Sequence, residues 1–304
     1  MFDAIVESLG INSAVDEGAS HGGAARPHSR TLNALLAEDS AVNQRLAIAL
    51  LEKWGHEVTV ASTGKAAVEA WKQGGFDVIL MDIQMPEMDG HDATRAIRGL
   101  ESGTDQHTPI IAMTAHALKG DEEKCLAVGM DSYISKPIRA PLLYDKLADV
   151  CDLAPLDGSN SQNVQQDDGD VSPASESVPL KSSTESSSPF IDNTLVDWGA
   201  ALDVAGGDRE LLDEILEAIL EECPAQFESL QKSIFENDAR TARRAAHTIL
   251  GNMRAIHAAD AMDKATAVEA LARDSKFDGL SEPVEELRQA TDSVYLAIQH
   301  FRAR

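Results

Sequence analysis

The sequence predicts two architectures in one chain: a five-stranded, doubly wound parallel α/β sheet over residues 31–153 and an all-α antiparallel helical bundle over residues 190–304. Three observations predict this. In the first half, short apolar runs of strand length alternate with amphipathic segments of helix length. In the second half, apolar residues recur at spacings of three and four with no strand pattern. Between them, residues 154–189 hold ten Ser, four Pro and no aromatic residue. That composition buries too little apolar surface to fold alone, so the segment reads as a flexible linker.

The elements follow in order. Residues 1–30 leave two readings open. Phe2, Ile5, Val6 and Leu9 share one face of two helical turns, and the Gly-, Ala-, Ser- and His-rich stretch after them reads as a tether. Strands are expected at residues 32–37, 58–61, 77–82, 110–113 and 132–135. Ser40 suits the cap of a helix running to Trp54, with Val42, Leu46, Ala49 and Leu50 inward, and Gly55 suits its stop. Further helices fit residues 65–72, 90–100, 119–128 and 140–150. The linker's 36 residues span roughly 30–36 Å r.m.s. as a flexible coil. In the second half, helices fit residues 208–222, 224–236, 239–257, 259–274 and 281–302. Pro224 suits a helix start, and Leu211, Leu212, Ile215, Ile219 and Leu220 mark an apolar face.

Bulk properties exclude several classes. Net charge is −25, with 26 basic residues, which argues against nucleic acid or an anionic membrane as a direct partner. No apolar run approaches the roughly 20 residues that span a bilayer, and the N-terminus lacks a secretory layout. Cys125, Cys151 and Cys223 are too few and too scattered for a disulfide framework or a zinc site, so a reducing cytoplasm is expected.

In an open parallel sheet, ligands bind beyond the carboxyl ends of the strands. Glu38 and Asp39 close the first strand, Asp82 the third, Thr114 the fourth and Lys136, before Pro137, the fifth. Clustered carboxylates repel unless a cation neutralises them, and Mg²⁺ favours carboxylate oxygens and phosphate. A carboxylate can also be the nucleophile of phosphoryl transfer, which needs alignment and neutralisation of the phosphoryl oxygens. A Lys and a Thr at neighbouring strand ends suit those contacts.

Residues 35–43 (LLAEDSAVN), 78–90 (VILMDIQMPEMDG), 110–114 (IIAMT) and 129–137 (GMDSYISKP) together resemble the signature blocks of the response-regulator receiver family, in order and spacing. The resemblance implies a flavodoxin-like fold, with Asp82 as phosphoacceptor. It implies that Glu38, Asp39, Asp82 and the backbone carbonyl of Gln84 hold Mg²⁺. Thr114 and Lys136 would contact the phosphoryl group, Thr114 and Tyr133 would form the switch, and the Lys136–Pro137 peptide would be cis. Met81, Met85 and Met88 read as packing and loop residues. His116, two residues after Thr114, is a candidate for shaping water access to the site.

In the bundle, His247 is the candidate phosphoryl acceptor. Gly251 lies four residues on, on the same helical face, and a mid-helix Gly suggests close docking there. Residues 246–251 (AHTILG) resemble the histidine phosphotransfer (HPt) motif, and residues 197–212 (DWGAALDVAGGDRELL) are similar to the first helices of that family. Leu250 departs from the pattern, standing where the family usually has Lys. Arg243 and Arg244, four and three residues before His247, and Arg254, seven after it, are candidate substitutes for that cation. His257 reads as structural.

The two resemblances imply a phosphorelay. Asp82 takes a phosphoryl group from the phosphohistidine of a sensor histidine kinase and exchanges it with His247, for transfer to a downstream response-regulator receiver. The linker makes the exchange intramolecular, at an effective concentration on the order of mM. No ATP-binding loop is read, so the chain is expected to pass phosphoryl groups on, in either direction, rather than make them. Two alternatives stay open. Residues 1–10 (MFDAIVESLG) resemble the last helix of an upstream receiver, as in the C-terminal part of a hybrid sensor kinase. Alternatively, Leu250 disables the HPt domain and phosphorylated Asp82 acts as a binding switch.

Overall fold

A computed structural model of the chain describes residues 30–114, 119–153 and 195–303. The expectations for residues 1–29, for the linker and for His116 lie outside the described residues. In the first half, β1 (Asn33–Ala37), β2 (Glu57–Ala61), β3 (Val78–Asp82), β4 (Ile110–Thr114) and β5 (Ser132–Ser135) form one sheet in the order β2-β1-β3-β4-β5. Every strand pair is parallel. The helices between and after them are α1 (Ala41–Lys53), α2 (Gly64–Lys72), α3 (Gly90–Glu101), α4 (Lys119–Ala127) and α5 (Ala140–Val150).

Alternation along the strands decides which helix covers which face. Leu35, Ala37, Ile79, Met81, Ile110 and Ala112 point to one side, against Ala67, Val68, Ala93 and Ile97 of α2 and α3. Ala34, Leu36, Val78, Leu80, Ile111 and Met113 point to the other, against Val42, Leu46, Leu50, Leu143 and Leu147 of α1 and α5. The starts of α2 and α3 carry side-chain caps of favoured residue types. Thr63 accepts from Ala66 N at 3.0 Å, and Asp89 accepts from Asp92 N at 2.8 Å.

The second half is helical, as expected: α6 (Trp198–Val204), α7 (Arg209–Glu236), α8 (Ala239–Ala255), α9 (Ala259–Arg273) and α10 (Ser281–Arg302). Two expectations are corrected. Pro224 does not start a helix but sits inside the 28-residue α7. An interior Pro costs about 3 kcal/mol or more. Here the apolar face is buried on both sides of it, by Leu212, Ile215 and Ile219 before and Phe227 and Leu230 after, and that packing carries the helix through. His257 lies outside α8, in left-handed backbone at φ 53°.

The two halves pack on each other. The apolar cluster on the α1 side of the sheet runs without a break into the bundle core of Ile215, Ile219, Ala246, Ile249, Leu250 and Met253. Polar contacts flank it. Arg45 donates to Glu214 O at 2.9 Å and to Glu221 Oε2 at 3.1 Å, and Lys53 pairs with Asp208 at 3.5 Å. No helix among the described residues is long and apolar enough to cross a membrane.

Candidate functional site

The chain leaves β1 at Ala37 and turns through Glu38 and Asp39 into α1, which Ser40 caps. That turn sets two carboxylates beside Asp82, the last residue of β3. Oxygens of Glu38, Asp39 and Asp82 all lie within 4.8 Å of one another. Glu38 is fully buried, with Oε1 accepting from Ser40 N at 3.2 Å and from Asn43 Nδ2 at 3.0 Å. Asp82 is 3% exposed, and its Oδ1 accepts from Gln84 N at 3.3 Å.

Lys136 arrives from the end of β5. Its amide donates to Thr114 O at 2.7 Å, and the peptide to Pro137 is cis, as expected. Its ammonium lies 2.6 Å from Glu38 Oε2 and 3.0 Å from Asp82 Oδ1. Burial pulls this ammonium down, but the Asp82 and Glu38 carboxylates outweigh it and hold Lys136 above its ordinary range. One cation does not balance three carboxylates, two of them buried and the third, Asp39, half-buried. Burial, then Glu38 and Asp39, push Asp82 up to about 7 against the pull of Lys136 and His247. Burial and Glu38 likewise push Asp39 up to about 7 against Lys136 and Arg244.

The loop after β3 is held close beneath the site. Gly90 N donates to Ile83 O at 2.9 Å, and a Cβ on Gly90 would sit 2.1 Å from Asp82 O. Only Gly permits this approach.

His247 comes from the middle of α8 and is 8% exposed. Its Nδ1 is 3.1 Å from Glu269 Oε1 on α9. A carboxylate only accepts, so Nδ1 is the donor, and in the neutral imidazole that tautomer leaves the lone pair on Nε2. Asp82 and His247 line one cleft of 580 Å³ between the halves of the chain. Its sheet-side wall includes Gln84, Glu87, Asp89, Asp92 and Thr114; its bundle-side wall includes Arg240, Arg243, Arg244 and Arg273.

The structure thus brings Glu38, Asp39, Asp82, Gln84, Thr114, Lys136, His247, Arg243 and Arg244 together. Tyr133 and Arg254 do not line the cleft. The Tyr133 phenol is hydrogen-bonded to Glu122, and its ring lies 5.9 Å from Lys146 Nζ. Arg254 is half-buried and feels Glu269 from outside the cleft. Leu250 is 1% exposed within the apolar cluster. Gly251 is corrected too: a Cβ there meets nothing within 4 Å, so close docking does not require it in this arrangement.

Sequence reasoning missed Glu269, Arg240 and Arg273. Glu269 had a signal. It stands on the stripe of Ala261, Ala265, Val268 and Ala272, all buried, and a carboxylate on an apolar stripe asks for a partner. Arg240 and Arg273 carry no such signal, since both are ordinary helix-surface residues.

Comparison with known proteins follows the same division. Residues 34–148 match the response regulator receiver domain family, and residues 214–295 match the Hpt domain family. The signal transduction histidine-protein kinase BarA of Escherichia coli K12 is 35% identical over 193 residues, which is 64% of this chain and 19% of that protein. Hybrid signal transduction histidine kinase I of Dictyostelium discoideum is 44% identical over 142 residues, 44% of this chain and 8% of that protein. Among solved structures, the receiver domain of a sensor histidine kinase from Pseudomonas aeruginosa PAO1, crystallised with magnesium in its active-site cleft, is 41% identical. That match covers 40% of this chain and 99% of the other, at a TM-score of 0.37. The chain thus spans 19% and 8% of the two curated relatives.

Proposed function

We propose, for a chain that carries a response regulator receiver domain (34–148) followed by an Hpt domain (214–295), that Asp82 and His247 exchange one phosphoryl group as a step of two-component phosphorelay signalling. The observation that carries this reading is their position on one cleft, with Nδ1 of His247 held by Glu269. Transfer to His247 then balances simply. Nε2 attacks phosphorus of the Asp82 acyl phosphate, the N–P bond forms, and the P–O bond to Asp82 breaks. No proton has to leave Nε2. The positive charge that develops on the imidazole is met by the Glu269 carboxylate, and the departing Asp82 carboxylate is met by Lys136. Thr114, Lys136, Arg243 and Arg244 are the groups that contact phosphoryl oxygens.

The residues present fit Mg²⁺. The donor set is oxygen only, the oxygens are close enough to share one ion, and two carboxylates pushed up to about 7 mark a pocket short of positive charge. Glu38, Asp39, Asp82 and the Gln84 carbonyl would hold the ion, which neutralises phosphoryl oxygens when bound. Tyr133 is the residue that changes rotamer on loading.

The donor in this reading is a sensor histidine kinase, and the acceptor beyond His247 is a downstream receiver. A cytoplasmic setting suits the thiols of Cys125, Cys151 and Cys223. The hybrid-kinase relatives favour a second reading, in which the same two domains serve as the C-terminal part of a longer kinase.

Single-turnover labelling tests the relay. Phosphate supplied by a donor kinase should appear on Asp82 and then on His247 in the wild type. Asp82→Ala should abolish both labels, and His247→Ala should retain label on Asp82. Label confined to Asp82 in the wild type overturns the relay and supports a phosphorylation-dependent binding switch.

A further inference from the structure

We propose that Glu222 is the specificity-determining residue by which the bundle recognises its receiver, through the amino end of receiver helix α1. This rests on the relay reading and names how its two domains find one another. A helix begins with backbone N–H groups that have no partner inside the helix. In α1 the Ser40 cap is long, with Asn43 N to Ser40 Oγ at 3.5 Å. Glu222 of α7 completes it. Ala41 N donates to Glu222 Oε1 at 2.9 Å, and Ser40 Oγ donates to Glu222 Oε2 at 3.0 Å. Both oxygens of one carboxylate therefore reach across to the other domain.

The carboxylate is aimed before it docks. Asn252 of α8, fully buried, donates from Nδ2 to Glu222 Oε2 at 2.9 Å. Asn252 and His247 stand on the same helix, and His247 lines one cleft with Asp82, so a receiver seated on Glu222 is also placed against His247. The contact is demanding. Glu222 stands near the acidic pocket, where burial and Glu38 push its carboxyl up while Asn252, Ala41 and Ser40 hold it down. Only a helix end that offers both an open N–H and a hydroxyl donor offsets that repulsion. A receiver with a carboxylate at the position of Ser40 would set two like charges together and be refused.

The test uses the full-length chain. His247 is labelled with phosphoramidate under chelation, and transfer to Asp82 is started with magnesium chloride. Glu222→Ala should slow transfer about tenfold to hundredfold, the ratio that one hydrogen bond to a charged group represents. Glu222→Gln, which keeps an acceptor, should fall between Ala and wild type. Ser40→Ala should also slow transfer, and with Glu222→Ala should add little further loss, because the two changes remove one shared contact. Labelling of His247 by phosphoramidate and of Asp82 by acetyl phosphate should not change, since neither needs docking. Wild-type transfer in Glu222→Ala, or losses that multiply independently, overturns the proposal. If the wild type moves no label, the relay reading fails by itself. Hydrogen exchange at Ala41 N–H then still decides the contact: faster exchange in Glu222→Ala supports it, and unchanged exchange overturns it.

Discussion

Replacing Glu269 removes the group that holds Nδ1 of His247, the acceptor in the proposed exchange. The bond from His247 Nδ1 spans 3.1 Å between side chains that are each 10% exposed. Water reaches this pair poorly, so bulk screening does not take over its role. A hydrogen bond to a charged partner contributes about 1.5–3 kcal/mol. It strengthens when phosphorylation makes the imidazole cationic, so most of its effect falls on the phosphorylated state. Glu269→Ala should therefore shift the distribution of phosphate between Asp82 and His247 toward Asp82 by about tenfold to hundredfold. Glu269→Gln keeps an acceptor without the charge and should show a smaller shift. Measuring the equilibrium distribution of label in the full-length chain checks the magnitude, and ¹⁵N NMR of His247 reports the tautomer. An unchanged distribution in Glu269→Ala, with Nδ1 still protonated, would refute the reasoning.

Four further outcomes follow. Gly90→Ala places a Cβ against Asp82 O; it should destabilise the receiver by roughly 1–3 kcal/mol and reduce acetyl phosphate labelling, read by thermal melting and label incorporation. Gly251→Ala meets nothing and replaces a mid-helix Gly, so melting should show a gain of about 0.5–1 kcal/mol. Without a cation, Asp82 and Asp39 keep their protons up to about 7 when folded but lose them near 3.8 when unfolded. The folded state then binds more protons between these values, and stability should fall as pH rises from about 4 to 7. Asp82→Asn should flatten that fall by roughly 1–4 kcal/mol, and magnesium chloride should reverse it, both read by denaturant titration across pH. Arg243→Ala and Arg244→Ala, on the cleft wall, should each slow transfer to His247 about tenfold, whereas Arg254→Ala, outside it, should leave single-turnover rates near wild type.

The sheet was legible because β1, β3 and β4 are short apolar runs and the turns carry their own punctuation. Thr63 and Asp89 cap their helices from within the same turn, and such signals need no tertiary context. The site on the sheet was legible for the same reason, since strand ends in a parallel sheet converge on one edge. The bundle site was only half legible. His247 announces itself by the sequence around it, but Glu269 reaches it from another helix 22 residues away, and that meeting is decided by how α8 packs on α9. Pro224 misled because a local preference was overruled by an apolar face buried on both sides of it. Arg254 misled because seven residues along a helix returns to nearly the same face but rises about 10 Å, far enough to leave the cleft.

The unbroken apolar cluster across α1 bears on timing. With Asp82 lining a cleft between the sheet and the bundle, the proposed relay would set a histidine on another molecule in competition with the bundle for that face of the sheet. In that relay, receipt from outside and delivery inside would exclude one another within one chain. The pace of that alternation would then follow how long the seam stays shut, a dwell time written in apolar side chains such as Val42, Leu46, Ile219 and Leu250 rather than in the reacting groups. Loosening the seam would hasten traffic with other molecules and slow exchange within the chain.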